Sequence, residues 1–388
     1  MRVAAGLMPS RRANGVVLAC FLGNASLGWF LNGLGAILPP LRDAVGEGAG
    51  TYALLPGAVL LAWGLFDVSR PGRALRPVAG GRGLFVGSFA LAATVFVMGL
   101  TRWPIVSVLG AVAAAVAAAH LNRLVPGILA ALRAEDTERV MMRANAYAST
   151  AVLVAPLAVG ASIALGAGWL PGFGIPLAIG AVAVAVAVRR TPPERLPAAP
   201  TDDSHRRLPP WASWWREWVV LWLSIVVEFC FAYFVVTFLN EELGLSEASA
   251  AFGGAAWGIG MLVGRFAFSR WAPPSSVVPS AITILAGFSL FWLVPQPGVA
   301  IAGICVAGLG ASPLYPSRIT ALIARFPNAP HDGSTRGGLA AGAALLAAPA
   351  LMVSLRAVSD VRTAYLVVPM LLVVLVGLAR PSIRANAR

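Results

Sequence analysis

Apolar segments about as long as a membrane is thick recur along the whole chain, and nothing constrains its fold more. A helix that crosses hydrocarbon needs about 20 predominantly apolar residues. Stretches near that length lie at 16–38, 52–66, 83–101, 103–126, 145–166, 172–188, 218–239, 248–264, 277–294, 298–317, 337–357 and 363–379. The pattern predicts an all-α polytopic membrane protein with twelve transmembrane helices. Composition agrees: 12% of residues are charged and 58% hydrophobic, whereas a soluble domain carries about a quarter charged residues. The second stretch is short, and only Thr101-Arg102-Trp103-Pro104 separates the third from the fourth. The run from Ala181 to Val188 alternates alanine and valine as a strand would. An isolated strand in hydrocarbon leaves its backbone unpaired, so helix is expected there too.

Charge placement tests the count. The 29 basic residues are all arginine. With the first segment starting inside, 24 of them fall on the starting side; Arg42, Arg102, Arg356 and Arg362 fall on the other, and Arg123 lies within a segment. Arginine gathers in cytoplasmic connections, so both termini are expected in the cytoplasm. The same placement accounts for the net charge of +13 without nucleic acid. The absence of lysine points to the arginine-biased codons of a GC-rich bacterium and hence to a bacterial cytoplasmic membrane. Ser10-Arg11-Arg12 has the look of a twin-arginine export signal, but the apolar stretch after it is long for a signal peptide, so a first spanning helix is expected. Cys20, Cys230 and Cys305 all fall in apolar segments and are expected to pack as free thiols.

The longest hydrophilic stretch divides the chain near its middle. This predicts an amino-terminal bundle over 1–188, a linker over 189–217 and a carboxy-terminal bundle over 218–388. Trp211, Trp214, Trp215 and Trp218 before the seventh segment suit an interfacial aromatic belt. The two parts look related. Gly64, Phe66, Ser69 and Arg70 recur as Gly264, Phe266, Ser269 and Arg270, and Leu41, Asp43 and Gly46 line up with Leu239, Glu241 and Gly244. Matches in the corresponding loop of each part are what an internal duplication predicts.

Glu228 is the only acidic residue inside a long apolar stretch. It lies about 15 Å from either end of its segment at 1.5 Å per residue. A carboxyl group at mid-membrane depth costs roughly 2.5 to 3.5 kcal/mol on insertion scales, so such residues mark ion, proton or substrate paths. Glu228 is therefore the candidate proton carrier, the alternative being a neutral glutamic acid hydrogen-bonded between helices. Ser224, Phe231, Ala232 and Val235 share its helical face by spacing. The three histidines have no metal-ligand spacing, and no phosphate-binding glycine loop occurs. No metal or cofactor is expected, with a proton gradient as the energy source. A membrane-embedded enzyme would need polar residues clustered at one depth, where this chain offers isolated ones.

Twelve helices in a 6+6 division with a basic central loop resemble the major facilitator superfamily of secondary transporters. The loop after the second helix carries a partial form of that family's signature in Gly64, Asp67, Gly72, Arg73 and Arg76, with altered spacing; Gly264, Arg265 and Arg270 match it in the second half. The resemblance implies a gating role for Asp67, Arg73, Arg76, Arg265 and Arg270, with topology determination as the alternative. Asn122 and Arg123, with Gly127, resemble the arginine motif of the fourth helix near the inner leaflet. Ala155-Pro156 and Gly160 resemble a reduced antiporter motif. Val227-Glu228-Phe229-Cys230, Asn240 to Ser246 and Gly260 to Arg265 are most similar to the fucose-permease-like branch. Helices one, four, seven and ten line the cavity in that family, which implies a site of Asn24, Trp29, Asn32, Phe231, Trp257, Ser312 and Tyr315 around Glu228, aromatic packing and interhelical hydrogen bonds being the alternatives. The whole implies a monomer in the lipid bilayer that binds a small-molecule substrate and moves it by symport, or by antiport if the Ala155-Pro156 motif governs.

Overall fold

In the computed structural model, residues 13–45, 47–69, 80–101, 103–132, 137–189, 209–271, 277–326 and 330–379 are described. Among these there is no strand. The helices are α1 Ala13–Val45, α2 Leu54–Ser69, α3 Gly80–Leu100, α4 Pro104–Leu132, α5 Thr137–Ala164, α6 Trp169–Arg189, α7 Trp215–Glu241, α8 Glu247–Trp271, α9 Val277–Leu293, α10 Pro297–Ala311, α11 Leu314–Ala324, α12 Pro330–Arg356, α13 Val361–Ala364 and α14 Val367–Ala379. The pairs α10/α11 and α13/α14 each make one crossing, Pro297–Ala324 and Val361–Ala379, so among the described residues the fourteen segments make up the twelve expected crossings, nine of them long and apolar enough by themselves to span a membrane. Successive crossings alternate in direction. We call the end where α1 and α7 begin proximal and the opposite end distal.

Local chemistry sets the boundaries. Pro104 starts α4, where a missing N–H costs nothing, and this separates the third crossing from the fourth. The Ala181–Val188 run is helical within α6. After α7, Gly244 adopts φ 66°, a left-handed conformation glycine takes without strain. The chain then turns at once into α8, whose start is capped by Ser246: its Oγ accepts from Ser249 N at 3.3 Å.

α1 packs on α3, α4, α5 and α6, while α7 packs on α8, α10, α11, α12 and α14. Between these two groups run three seams, α1 on α7, α2 on α12 and α5 on α8. Glycines bring the backbones together there. A Cβ at Gly57 would lie 2.1 Å from Leu346 N, and one at Gly258 would lie 2.5 Å from the Leu153 Cα. Gly57 stands in the distal turns of α2 and Gly258 near the middle of α8, so the closest approaches lie from mid-depth to the distal end.

Within the second group, α8 and α10 meet so closely that a Cβ at Gly260 would fall 1.9 Å from the Cys305 carbonyl oxygen. Gly260→Val should lower the thermal unfolding midpoint of detergent-purified protein by the equivalent of about 1–3 kcal/mol, the usual cost of overpacking. An unchanged midpoint would mean that this helix pair is looser than that contact implies.

The tryptophans around the start of α7 divide between two environments. Trp211 is 55% exposed, whereas Trp214 is buried against Phe326 under the Arg336 guanidinium, 5.3 Å from its ring centre. Trp218 Nε1 donates to the Arg336 carbonyl at 3.0 Å. This part of the predicted belt therefore braces α7 against α11 and α12.

Candidate functional site

Glu228 is the midpoint of α7. Its neighbours Val227 and Phe229 are buried, whereas Glu228 keeps some accessible surface. Two groups act on it electrostatically or share its surroundings: the Arg265 guanidinium from α8 and the Tyr315 phenol from α11. All three are partly exposed. The Arg265 Nε is buried and has no hydrogen-bond partner.

A broken helix places Tyr315. α10 ends at Ala311, Pro313 follows, and α11 resumes at Leu314 with Pro316 in its first turn. Ser312 is buried in this break and donates to the Leu309 carbonyl at 2.8 Å. A Cβ at Gly264 would lie 2.2 Å from the Ser312 Oγ. With no side chain there, α8 reaches the break, and the next residue, Arg265, is held beside Tyr315.

Along α7 the face of Glu228 continues distally through Ala232 and Val235 to a small cleft between the two groups of helices. Asn32, Pro156, Gly254 and Trp257 help to line it. The Trp257 indole is buried, and its Nε1 has no partner. Phe231 is fully buried and stacks on Trp257, with ring centres 4.8 Å apart and planes 9° apart. Phe291 and Tyr365 close the same aromatic cluster, and the Tyr365 hydroxyl donates to the Cys230 carbonyl at 3.1 Å.

The first-helix residues have partners within their own group. Asn24 Nδ2 donates to the Ala144 carbonyl at 2.9 Å and Trp29 Nε1 to the Phe173 carbonyl at 3.0 Å, which ties α1 to α5 and α6. Asn32 Nδ2 donates back to the Gly28 carbonyl at 2.9 Å. Asn122 and Arg123 lie partly exposed in α4, one turn before Pro126. Asp67 lies in the last turn of α2 and Arg270 in the last turn of α8. Arg73 and Arg76 fall outside the described residues.

A second polar cluster lies at the distal end. Glu241, the last residue of α7, pairs with Arg42 of α1 and accepts from Arg356 Nη2 of α12 at 2.8 Å. Phe234 and Thr237 line the same cleft. One carboxylate thus joins the last turns of three helices across the α1–α7 seam. Sequence reasoning had not picked out Glu241 as a site residue. The signal was present nonetheless, because Arg42 and Arg356 are two of the four arginines that break the charge-placement rule. A third, Arg362, donates to the Trp292 carbonyl at 2.6 Å and lies over the Trp292 ring. These three have structural partners that explain why they stand on the less usual side.

The Major Facilitator Superfamily profile matches residues 20–349. No protein of curated function matches by sequence. Among solved structures, the fold is similar to a bacterial homologue of the human lysosomal transporter Spinster in an inward-facing, unoccupied conformation. The TM-score is 0.68 at 14% identity, over 95% of this chain and 96% of that one. The occupied, inward-facing form of that homologue gives 0.68 at 14% identity, over 96% and 97%. A point mutant of the nucleoside transporter NupG gives 0.62 at 15% identity, over 95% and 99%.

Proposed function

The chain belongs to the Major Facilitator Superfamily and is a secondary transporter rather than an enzyme, and we propose that it moves a small organic solute across a bacterial cytoplasmic membrane by alternating access, with a proton carried on Glu228. The observation that carries this reading is the placement of Glu228. A carboxyl group at the midpoint of a spanning helix, partly accessible and facing an arginine and a phenol from two other helices, suits a group that takes up and releases a proton as its surroundings change. Mid-membrane ionisable residues belong to such paths.

In this reading the helices before residue 189 and those after 217 move as two bodies joined by the linker 189–217. Both termini and the proximal end face the cytoplasm, and the protein acts as a monomer. With the distal seams closed, the conformation in this reading is one open to the inside. Arg42, Glu241 and Arg356 are then an outer latch, and Asp67, Arg265 and Arg270 belong to the inner half of the path.

Glu241→Gln removes the shared carboxylate and leaves two cations facing each other. Partly exposed pairs contribute about 0.2–1 kcal/mol each, so the distal side should open several-fold more often. A cysteine placed at Thr237, 3% exposed in the distal cleft, should react correspondingly faster with an impermeant maleimide. An unchanged rate would remove the latch from the account.

Transport itself is tested by exchange. A solute that stabilises the purified protein is loaded into proteoliposomes, and entry of the labelled solute against it is followed. Counterflow that depends on the protein supports the reading; hydrolysis or modification of the solute without exchange overturns it. Antiport is a second reading, favoured by Pro156, which lies on the same cleft as Trp257 and Asn32; the direction of proton movement decides between the two.

A further inference from the structure

Charge on the wall around Glu228 bears on what is carried. Arg265 lies six residues before the end of α8, and its Nε is buried without an acceptor. Leaving a buried guanidinium donor unpaired is costly, so the group is poised for an acceptor that arrives from elsewhere. One turn beyond Tyr315 on the same face of α11 is Arg318, partly exposed. The acidic group that acts on Arg318 is Glu217, which already takes the Arg325 Nε at 3.0 Å. The wall thus offers Arg265, Arg318 and Arg325 against Glu228 and Glu217, an excess of one positive charge that becomes two when Glu228 is protonated. Around Glu228 itself, the charged or titratable groups among the described residues are Arg265 of α8 and Tyr315 of α11. The other elements packed on α7, namely α1, α10, α12, α13 and α14, contribute none there.

We propose that the cargo is a singly charged organic carboxylate that binds Arg265, with the Tyr315 hydroxyl donating to it, and that it enters together with a proton on Glu228. This rests on the transporter reading above. The electrostatics favour joint entry. In the empty carrier the Glu228 carboxylate balances Arg265; in the loaded carrier the cargo carboxylate balances it while Glu228 is neutral. The wall carries the same charge in both forms, so both can reorient. A neutral solute entering with the proton would leave Arg265 uncompensated in a low-dielectric site, where a lone charge is strongly destabilising. One proton with one monoanion is electroneutral, so flux should not respond to membrane voltage.

The test uses the purified full chain and matched pairs of probes: lactate and lactamide, benzoate and benzamide, gluconate and glucose. Thermal stabilisation is titrated at pH 5.5 and pH 8. At least one carboxylate should stabilise the protein where its neutral partner does not, and its affinity should rise by up to about tenfold per pH unit of acidification, the limit for one linked proton. Glu228→Gln, which mimics the protonated residue, should bind that carboxylate with little pH dependence. Arg265→Gln should lose it at least tenfold, and Arg265→Lys should restore part of the affinity. If Arg265→Gln does not purify intact, the flattened pH profile of Glu228→Gln and the weakened Arg265→Lys decide. Equal stabilisation by a neutral partner, stabilisation by none of the carboxylates, or full carboxylate affinity in Arg265→Gln would overturn the proposal. Counterflow of a neutral probe in proteoliposomes would show that the cargo class is wrong while transport stands; no counterflow of any stabilising probe would place the failure in the transporter reading itself.

Discussion

Gly57→Trp is expected to hold the distal side open. A Cβ on Gly57 would lie 2.1 Å from Leu346 N and 2.3 Å from the Leu345 carbonyl carbon. These are backbone atoms of α12, which cannot step aside as a flexible side chain can. The ring can be accommodated only by parting α2 from α12, and those helices belong to the two groups that must separate for the distal side to open. Overpacking costs about 1–3 kcal/mol in the closed form and nothing once the seam has parted. The open fraction should therefore rise at least several-fold and by more than a hundredfold at the upper end, since about 1.4 kcal/mol is a factor of ten. Leu165, 85% exposed after α5, and Val358, 84% exposed after α12, lie at the distal end on the two sides of the seam. Spin labels on cysteines at these positions should move apart in Gly57→Trp, with Gly57→Ser intermediate. Identical distance distributions in all three proteins would show that α2 and α12 do not separate.

In Glu228→Gln, exchange should persist while accumulation is lost. Glutamine keeps the size of the side chain and its hydrogen-bonding atoms but takes up no proton at any working pH. A carrier that moves one proton per solute converts each unit of pH difference into about a tenfold solute ratio, since a unit is worth about 1.4 kcal/mol. Wild-type proteoliposomes with a one-unit gradient should approach that ratio; the variant should not rise above equal concentrations, with counterflow still measurable. Undiminished dependence on the gradient in Glu228→Gln would take the coupling role away from this residue.

The spans were legible because hydrocarbon leaves the backbone one solution, the helix, and because about 20 apolar residues are needed to cross it. Their ends were less so. α1 runs on through Arg42 to Val45, α4 passes Pro126 to reach Leu132, and α5 begins at Thr137. Helical hydrogen bonding continues past the apolar edge wherever caps and tertiary contacts sustain it, and hydropathy does not record that. The depth of Glu228 could be read from one segment alone. Its company could not, because Arg265 and Tyr315 reach it only after α8 folds onto the break between α10 and α11, where Gly264 meets Ser312. Arg265 belongs to a loop motif in the sequence, whereas its electrostatic partner Glu228 stands at the midpoint of α7. Residue type also says little about what occupies a polar group. The Asn24 and Trp29 donors are taken by carbonyls of α5 and α6, while the Trp257 donor has no partner. The arginines on the unexpected side were the plainest clue to the distal cluster, and they became informative once Glu241 was seen between two of them.

Proton movement with the solute is the most direct test of the central claim. Proteoliposomes are loaded with a pH-sensitive dye, no gradient is imposed, and the stabilising solute is added outside. With Glu228 as the coupling residue, the lumen of wild-type vesicles should acidify as solute enters, and that of Glu228→Gln vesicles should not. Alkalinisation in the wild type would assign antiport. Solute entry with no change in lumenal pH, or the same acidification in Glu228→Gln, would contradict proton coupling through Glu228.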